Sequence, residues 1–229
     1  MISIVIPAYN VAEHLKNVIT ALLDIRNIEI IIVEDGSLDG TKEIAESLTK
    51  HYGNVILISG SKRGGKGLAI KRGLKISKGD VVGFLDADES IGIKDLKNLL
   101  DALSEVDVDA VIASRWLKAS RIIKKQPLRR RIVSRVFNIL IRLIFNLPFK
   151  DTQCGAKVFK RAAINDILSE IKANGFEFDV EMLWRLKKRG YNIKEIPITW
   201  KHEEKSSFKL SYAPQMLLSL LKIRIASWK

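Results

Sequence analysis

The chain opens on an apolar run, ISIVIP (2–7), and runs of this kind return at intervals up to residue 114. IEIIIVED (28–35) is apolar until its last two positions; NVILIS (54–59), DVVGFLDAD (80–88) and DVDAVIAS (107–114) follow. Each is short and rich in β-branched residues, which predicts buried strands. Between them the apolar spacing lengthens to that of a helix: 11–23, DGTKEIAESLTKHYG (39–53) with Asp39 as N-cap and Gly53 as stop, GKGLAIKRGLKISKG (65–79) and IKDLKNLLDALSE (93–105). Strands alternating with amphipathic helices over short connections predict βαβ units, hence an α/β fold with a mostly parallel central sheet flanked by helices. Near-continuous apolar strands fit a sheet covered on both faces. After residue 115 this rhythm breaks.

The polar residues that end the strands carry the chemistry. PAYN, EDGS and DADES all fall where strands stop, and in such sheets ligands sit beyond the carboxyl ends of the strands. Asp86 and Asp88 can aim two carboxylates at one divalent cation, Mg²⁺ or Mn²⁺, whose hard-oxygen preference also suits substrate phosphates. The plainer reading of DAD is a solvated turn capping the helix that starts near Ile91. Glu89 is expected to be a solvated turn acid. Asp35 is placed to accept hydrogen bonds from a nucleobase or ribose, as carboxylates do at the edge of nucleotide-binding sheets. SKRGGKG (61–67) lacks the spacing of a P-loop, but its glycines permit close backbone approach and Lys66 at a helix start can meet a diphosphate. His14, His51 and His202 have no metal-ligand spacing, so no zinc site is read. The single Cys154 is expected to be a small packed residue rather than a nucleophile.

Charge changes the picture for the second half. The formal net charge is +13, and no acidic residue lies between Asp109 and Asp151. That interval carries Arg115, Lys118, Arg121, Lys124, Lys125, Arg129, Arg130, Arg131, Arg135, Arg142 and Lys150. A one-sided cluster implies an anionic partner: nucleic acid, an anionic membrane surface or a phosphorylated substrate. Within it, RIVSRVFNILIRLIFNLPF (131–149) is apolar except for a stripe at 131, 135, 138, 142 and 146. Central arginines each cost about 2.5–3.5 kcal/mol in a spanning helix, so the segment reads as an interfacial amphipathic helix. YAPQMLLSLLKIRIASWK (212–229) repeats the theme, with an apolar face, a basic end and Trp228. With one cysteine, no apolar leader and no spanning helix, a peripheral protein on the cytoplasmic face of a membrane is expected.

Taken in order, IPAYN (6–10), IIIVEDGSLDGT (30–41), GGKGLAIKRG (64–73), GDVVGFLDAD (79–88), SRW (114–116), RRRIVSR, DTQCGAKVFKR (151–161), FEFDVEMLWRLKKRGYNIKEIPITW (176–200) and the KSSFK tail resemble glycosyltransferase family 2 with the GT-A fold. The likeness is strongest to the dolichyl- and polyprenyl-phosphate hexose synthases, first the glucose branch and then the mannose branch. The resemblance implies one continuous catalytic domain, with a donor half at 1–115 and an acceptor half at 116–229 bearing surface helices at 129–147 and 212–228. It implies that Pro7, Ala8, Tyr9 and Asp35 line the nucleoside pocket with Lys66 nearby, and that Asp86 and Asp88 hold ribose and metal. Arg115, Arg130, Arg131 and Ser134 would face the lipid phosphate; Asp151, Gln153, Asp179 and Glu181 would line the sugar and reaction centre. Two departures matter: Val11 follows PAYN where relatives often carry Glu, and Ser90 stands where mannose synthases often carry Gln. The implied activity is inverting, metal-dependent hexosyl transfer from a UDP- or GDP-sugar to polyprenyl phosphate. A glycan hydroxyl acceptor is the alternative, and nucleic-acid binding a remote one, since strand-end acids repel phosphates.

Overall fold

The computed structural model describes residues 1–124, 127–203 and 210–226, with residues 129, 130 and 210 described in their backbone only. Among these, seven strands form the central sheet: β1 (Ile2–Ala8), β2 (Ile28–Asp35), β3 (Val55–Gly60), β4 (Val81–Leu85), β5 (Ala110–Ser114), β7 (Ala156–Lys160) and β8 (Ile193–Pro197), in the order β3-β2-β1-β4-β7-β5-β8. β6 (Arg121–Lys124) and β9 (Thr199–Lys201) make a separate parallel pair. The helices are α1 (Ala12–Leu22), α2 (Thr41–His51), α3 (Lys66–Ile76), α4 (Ile93–Leu103), α5 (Leu128–Phe145), α6 (Arg161–Leu168), α7 (Phe178–Lys188) and α8 (Ala213–Ala226).

The apolar strands alternate sides, and this divides the interior into two cores. Ile4, Ile6, Ile30 and Ile32 point into the layer covered by α1, α2 and α4. Val5, Ile31 and Val33 point into the layer covered by α3, α5, α6, α7 and α8. Every residue of β2 is buried, and each fully buried aliphatic side chain contributes about 1.5–3 kcal/mol relative to exposure. A one-residue slip of β2 against β1, now paired Ile4 to Ile30, would exchange the two faces; the double burial therefore fixes the register.

The sheet is parallel except for β7, which runs antiparallel between β4 and β5. A strand from the second half of the chain thus sits inside the sheet built by the first. The two halves read from sequence share one sheet, and residues 151–155 are delivered beside the end of β4.

Two expectations change here. Helix α2 begins at Thr41, one turn position later than an Asp39 cap implies; Gly40 takes the cap position at φ +87°, and the Asp39 carboxylate accepts the Thr41 N–H from outside (3.1 Å). The polar stripe of α5 faces solvent only in part: Arg135 and Asn146 are exposed, Arg131 and Arg142 half-buried. Asn138 is buried and hydrogen-bonded to the Thr152 hydroxyl at 3.2 Å, and the Arg135 guanidinium lies 4.0 Å from the centre of the Trp116 ring. α5 is instead apolar on two sides. Phe137, Ile141 and Phe145 enter the core, while Ile132, Val136, Ile139 and Leu143 point outward, Leu143 at 74% exposure. Contiguous apolar faces of this kind are rare on soluble monomers. α8 buries Met216, Leu220 and Ile223 and exposes Leu218 and Ile225; Trp228 and the KSSFK tail lie outside the described residues. Among the described residues no helix is long and apolar enough to cross a membrane.

Candidate active site

Two turns at the carboxyl edge of the sheet hold each other in place. Asn10 N–H donates to Ser37 Oγ, Val11 N–H to Thr41 Oγ1, Ala12 N–H to Asp39 Oδ2, and Leu38 N–H back to Asn10 Oδ1. This lattice ties PAYN to EDGSLDGT. Glu34, buried beside Asp35, accepts from Ser37 N–H and the Ser59 hydroxyl, which accounts for the second acid at this strand end.

Asp35 is also committed. Its carboxylate accepts the N–H groups of Gly64 and Gly65 at 2.8–2.9 Å. The next amides at the start of α3, of Gly67 and Leu68, donate to the carbonyls of Gly175 and Asn174. The amides of Gly64, Gly65 and Gly67 are therefore taken by the protein and not left open to a phosphate. Gly65, at φ +100°, is required because a Cβ there would come within 2.5 Å of the Asn174 carbonyl oxygen. What the loop delivers is Lys66.

Lys66 Nζ lies 2.7 Å from Asp86 Oδ1 and 3.9 Å from Asp179 Oδ2. Burial opposes its charge, but Asp86, Asp179 and Asp88 outweigh burial and hold the ammonium well above the usual lysine range. Burial pushes the Asp86 carboxyl up and Lys66 pulls it down; Asp88 and Asp179 then leave the net shift upward. Asp179 Oδ1 receives a second ammonium, that of Lys157, at 2.6 Å. Lys157 is fully buried, donates also to the Cys154 carbonyl (2.7 Å), and sits 5.3 Å from the centre of the Phe84 ring. Asp86, Lys66, Asp179 and Lys157 thus form one alternating chain of charge. Asp86 is seated by Gly155: its N–H donates to the Gly155 carbonyl (2.8 Å), and a Cβ on Gly155 would come within 2.5 Å of Asp86 Cγ.

On the opposite wall Arg115 is clamped by buried Asp151. Nε and Nη2 donate to the two carboxylate oxygens at 2.7 and 2.9 Å, and Arg115 N–H adds a third bond. This fork-to-fork geometry fixes the guanidinium plane. Asp151 is held in turn where its N–H donates to Glu195.

These groups surround one cleft. Of the residues picked from sequence, Pro7, Ala8, Tyr9, Asp35, Lys66, Asp86, Asp88, Arg115, Ser134, Gln153 and Asp179 line it. Asp151 does not, and acts through Arg115. Glu181 does not either: one carboxylate oxygen accepts the Lys172 and Ala173 N–H groups and the other Arg185, so it braces the loop before α7 and has no free face for chemistry. Arg131 is half-buried on α5 outside the lining, and the Arg130 side chain lies outside the described residues. Glu89 is a half-buried turn acid: it turns the chain at φ +55° with its carboxylate 3.3 Å from His14 Nδ1.

The cleft includes residues that the sequence reading passed over. Arg63 stacks its guanidinium 4.2 Å from the centre of the Tyr9 ring, and Phe176, Trp200, His202 and Glu203 complete the walls. A lysine inside an apolar strand, AKVFK, was a signal for Lys157, since lysine is almost never buried unpaired. Nothing local in the sequence marked His202.

Among the described residues no three carboxylates, imidazoles or thiolates cluster closely enough to hold an ion alone. Asp86 and Asp88 nonetheless fit Mg²⁺ or Mn²⁺. They are hard oxygen donors, they face the cleft, and the unspent negative charge around Asp86 favours a cation. Mg²⁺ is usually held by one or two carboxylates plus substrate phosphates. Cys154 is buried at the base of the site; burial, then the Asp151 charge, push its thiol up to about 12.

Residues 3–168 match the family model of glycosyl transferase family 2. A dolichyl-phosphate beta-glucosyltransferase of Trichomonas vaginalis is 31% identical over 100% of this chain and 75% of its own. That of Saccharomyces cerevisiae is 30% identical over 98% of this chain and 74% of its own. Glycosyltransferase AglD of Haloferax volcanii is 29% identical over 94% of this chain, which spans only 35% of AglD. Among solved structures, glucosyl-3-phosphoglycerate synthase of Mycobacterium tuberculosis with Mn²⁺, UDP and glucosyl-3-phosphoglycerate superposes with a TM-score of 0.74 at 20% identity, covering 97% of this chain and 79% of that one. The same enzyme with Mg²⁺ and UDP gives 0.70 at 18% identity, again over 97% and 79%. The sheet and its helices are thus those of GT-A glycosyltransferases.

Proposed function

From a chain that belongs to glycosyl transferase family 2, we propose an enzyme that moves a hexose, glucose foremost, from a nucleoside diphosphate sugar to a dolichyl- or polyprenyl-type phosphate. It would do so with inversion, using Mg²⁺ or Mn²⁺, while docked peripherally on the cytoplasmic face of a membrane. One observation carries this reading. A single cleft sets the acids Asp86 and Asp88 opposite a guanidinium locked in plane by Asp151, and its α5 wall continues into an outward apolar face. The named relatives act on dolichyl phosphate with glucose, and Ser90 in place of Gln agrees with the glucose branch.

The residues divide the work. Tyr9 and Arg63 offer a stacked platform for the nucleoside, with Pro7, Ala8 and Val11 beside it. Asp86 and Asp88 would hold the divalent ion, which when bound neutralises the diphosphate leaving group. Lys66 adds a fixed ammonium on the same side. Arg115, with Ser134 nearby, binds the acceptor phosphate, and Asp179 and Gln153 orient the sugar between them. A phosphate oxygen attacks the anomeric carbon in line, forming an O–C bond as the bond to the diphosphate oxygen breaks. A phosphate monoester has a second pKa of about 6, so the nucleophile is already ionised and no proton need leave. This removes the need for a general base, in agreement with Asp179 being bound to two ammonium groups and Glu181 lying outside the cleft.

The outward side chains of α5 support docking with the cleft at an interface. Each half-exposed aliphatic group gains on the order of 1 kcal/mol on entering the acyl boundary. The purified protein given polyprenyl phosphate, Mn²⁺ and a panel of labelled UDP- and GDP-hexoses is expected to yield labelled lipid, best with UDP-glucose. Asp88→Ala is expected to abolish it. Label appearing only in a glycan hydroxyl acceptor, or an Asp88→Ala variant as active as wild type, would overturn the reading.

A further inference from the structure

Away from the active cleft, the end of α6, the last turns of α7 and the last turn of α8 enclose a second cleft of about 400 Å³. Asp179 in the first turn of α7 faces the reaction centre and Lys188 in the last faces this one, about 13 Å further along the helix at 1.5 Å per residue. Trp184, almost fully buried, lies at its base.

Its charges are not balanced. The guanidinium of Arg185 is matched by Glu170 and Glu181, both at 2.7 Å, and that of Arg189 by Asp166 at 2.7 Å and by Glu170. Among the described residues no carboxylate pairs with Lys172 or Lys188, although both line the cleft. Lys188 Nζ lies 5.6 Å from the centre of the Trp184 ring, which draws the ammonium to the aromatic base. The reaction proposed above uses neither lysine.

The remaining wall points to the ligand. Ile223 and Ala226 of α8 close the cleft, and Arg224 Nε donates to the Ile144 carbonyl (3.3 Å), so the last turns of α8 and α5 abut. Immediately outward, Ile225 and Leu143 are 66% and 74% exposed. The unmatched positive charge therefore borders the far end of the apolar platform whose near end, at Val133, lines the active cleft. We propose that this cleft binds the headgroup phosphate of an anionic membrane lipid through Lys172 and Lys188. The inference rests on α5 docking to a membrane, and it would fix the tilt of the protein by a second point of attachment.

Flotation of the full chain with vesicles of phosphatidylcholine alone and with added phosphatidylglycerol tests this. A lysine near an anionic surface contributes roughly fivefold in affinity, so Lys172→Glu/Lys188→Glu is expected to lose at least about 25-fold on the anionic vesicles and little on the neutral ones. Lys50→Glu/Lys97→Glu, on α2 and α4, makes the same change in net charge and is expected to float like wild type. The proposal falls if the cleft variant floats like wild type, or if the control falls equally, which means diffuse charge and no site. Wild type that floats with neither vesicle overturns the docking of α5 and this site together. A cleft variant that floats normally but no longer gains thermal stability from inorganic phosphate would reassign the cleft to a soluble anion.

Discussion

Replacing Lys157 by Met removes the innermost link of the charge chain while keeping the length of the side chain. The ammonium is fully buried, bonded to Asp179 Oδ1 at 2.6 Å and to the Cys154 carbonyl at 2.7 Å. Removing one partner of a buried pair costs about 3–5 kcal/mol, because the other charge is left without its counter-ion. Lys66 remains, but at 3.9 Å and already engaged by Asp86 at 2.7 Å, so the loss is expected near the lower end, about 3 kcal/mol. For a chain of this length 1 kcal/mol shifts Tm by about 2–4 °C, which gives a fall of about 6–12 °C by calorimetry. The decisive comparison is a double-mutant cycle with Asp179→Asn. Taking the charge off Asp179 in the Lys157→Met background removes the orphan, so the double variant should melt above the Lys157→Met single by several degrees, with a coupling of about 1–3 kcal/mol. A fall below about 2 °C, or a double variant that melts where the two singles add, would refute the pairing as a source of stability.

Gly155→Ala places a methyl against the Asp86 carboxylate; overpacking of about 1–3 kcal/mol is expected, with a larger relative loss of Mn²⁺ affinity, read by titration of the purified variant. Cys154, buried and pushed up to about 12, should resist iodoacetamide at pH 8 and react stoichiometrically in guanidinium; prompt labelling of the folded protein would contradict its packing. Burial raises the Asp151 carboxyl, but the Arg115 charge and hydrogen bonds outweigh it and hold it below the usual range. A depressed carboxylate stabilises above its unfolded pKa of about 3.9 and loses that contribution as pH falls through the folded value. Wild type should therefore lose stability more steeply below about pH 4 than Asp151→Asn does in urea titrations, and equal slopes would refute this.

How far the sequence could be read depended on whether the signal was local. β2 is legible because IEIIIVED is buried on both faces along its whole length, which no amphipathic helix reproduces. β7 and α6 were not legible in the same way. AKVFK is five residues long, and it becomes a central strand only because β4 and β5, from the first half of the chain, leave a slot between them. For α5, periodicity gave the helix but not its orientation, since an arginine stripe can face water or, as with Arg135 over Trp116, an aromatic neighbour. In the site, acids at strand ends announced themselves, yet their partners did not. Asp35 binds amides 29 and 30 residues away, and Asp151 binds an arginine 36 residues back. A strand-end acid in a sequence reads as a ligand contact until its hydrogen bonds are counted.

That counting separates the acids by what remains of their capacity. Asp35, Asp151 and Glu181 are saturated by two or more protein donors each, so the free energy of their burial is already met and they hold loops or a guanidinium in place. Asp88 differs: among the described residues it accepts the Ser90 N–H at 3.1 Å, a turn bond to one oxygen only, and it lines the cleft. Asp86 is intermediate, since its ammonium partner Lys66 is mobile in chemistry if not in place: a diphosphate arriving beside Lys66 would share that charge and leave Asp86 needing another cation. Nucleotide and divalent ion are therefore expected to bind with positive coupling. Mn²⁺ titrated calorimetrically into the protein should bind at least tenfold more tightly with UDP present than without it. Lys66→Met should shrink that ratio by strengthening the binding of Mn²⁺ alone. Equal ratios in the two proteins would mean that Lys66 does not stand in for the ion at Asp86.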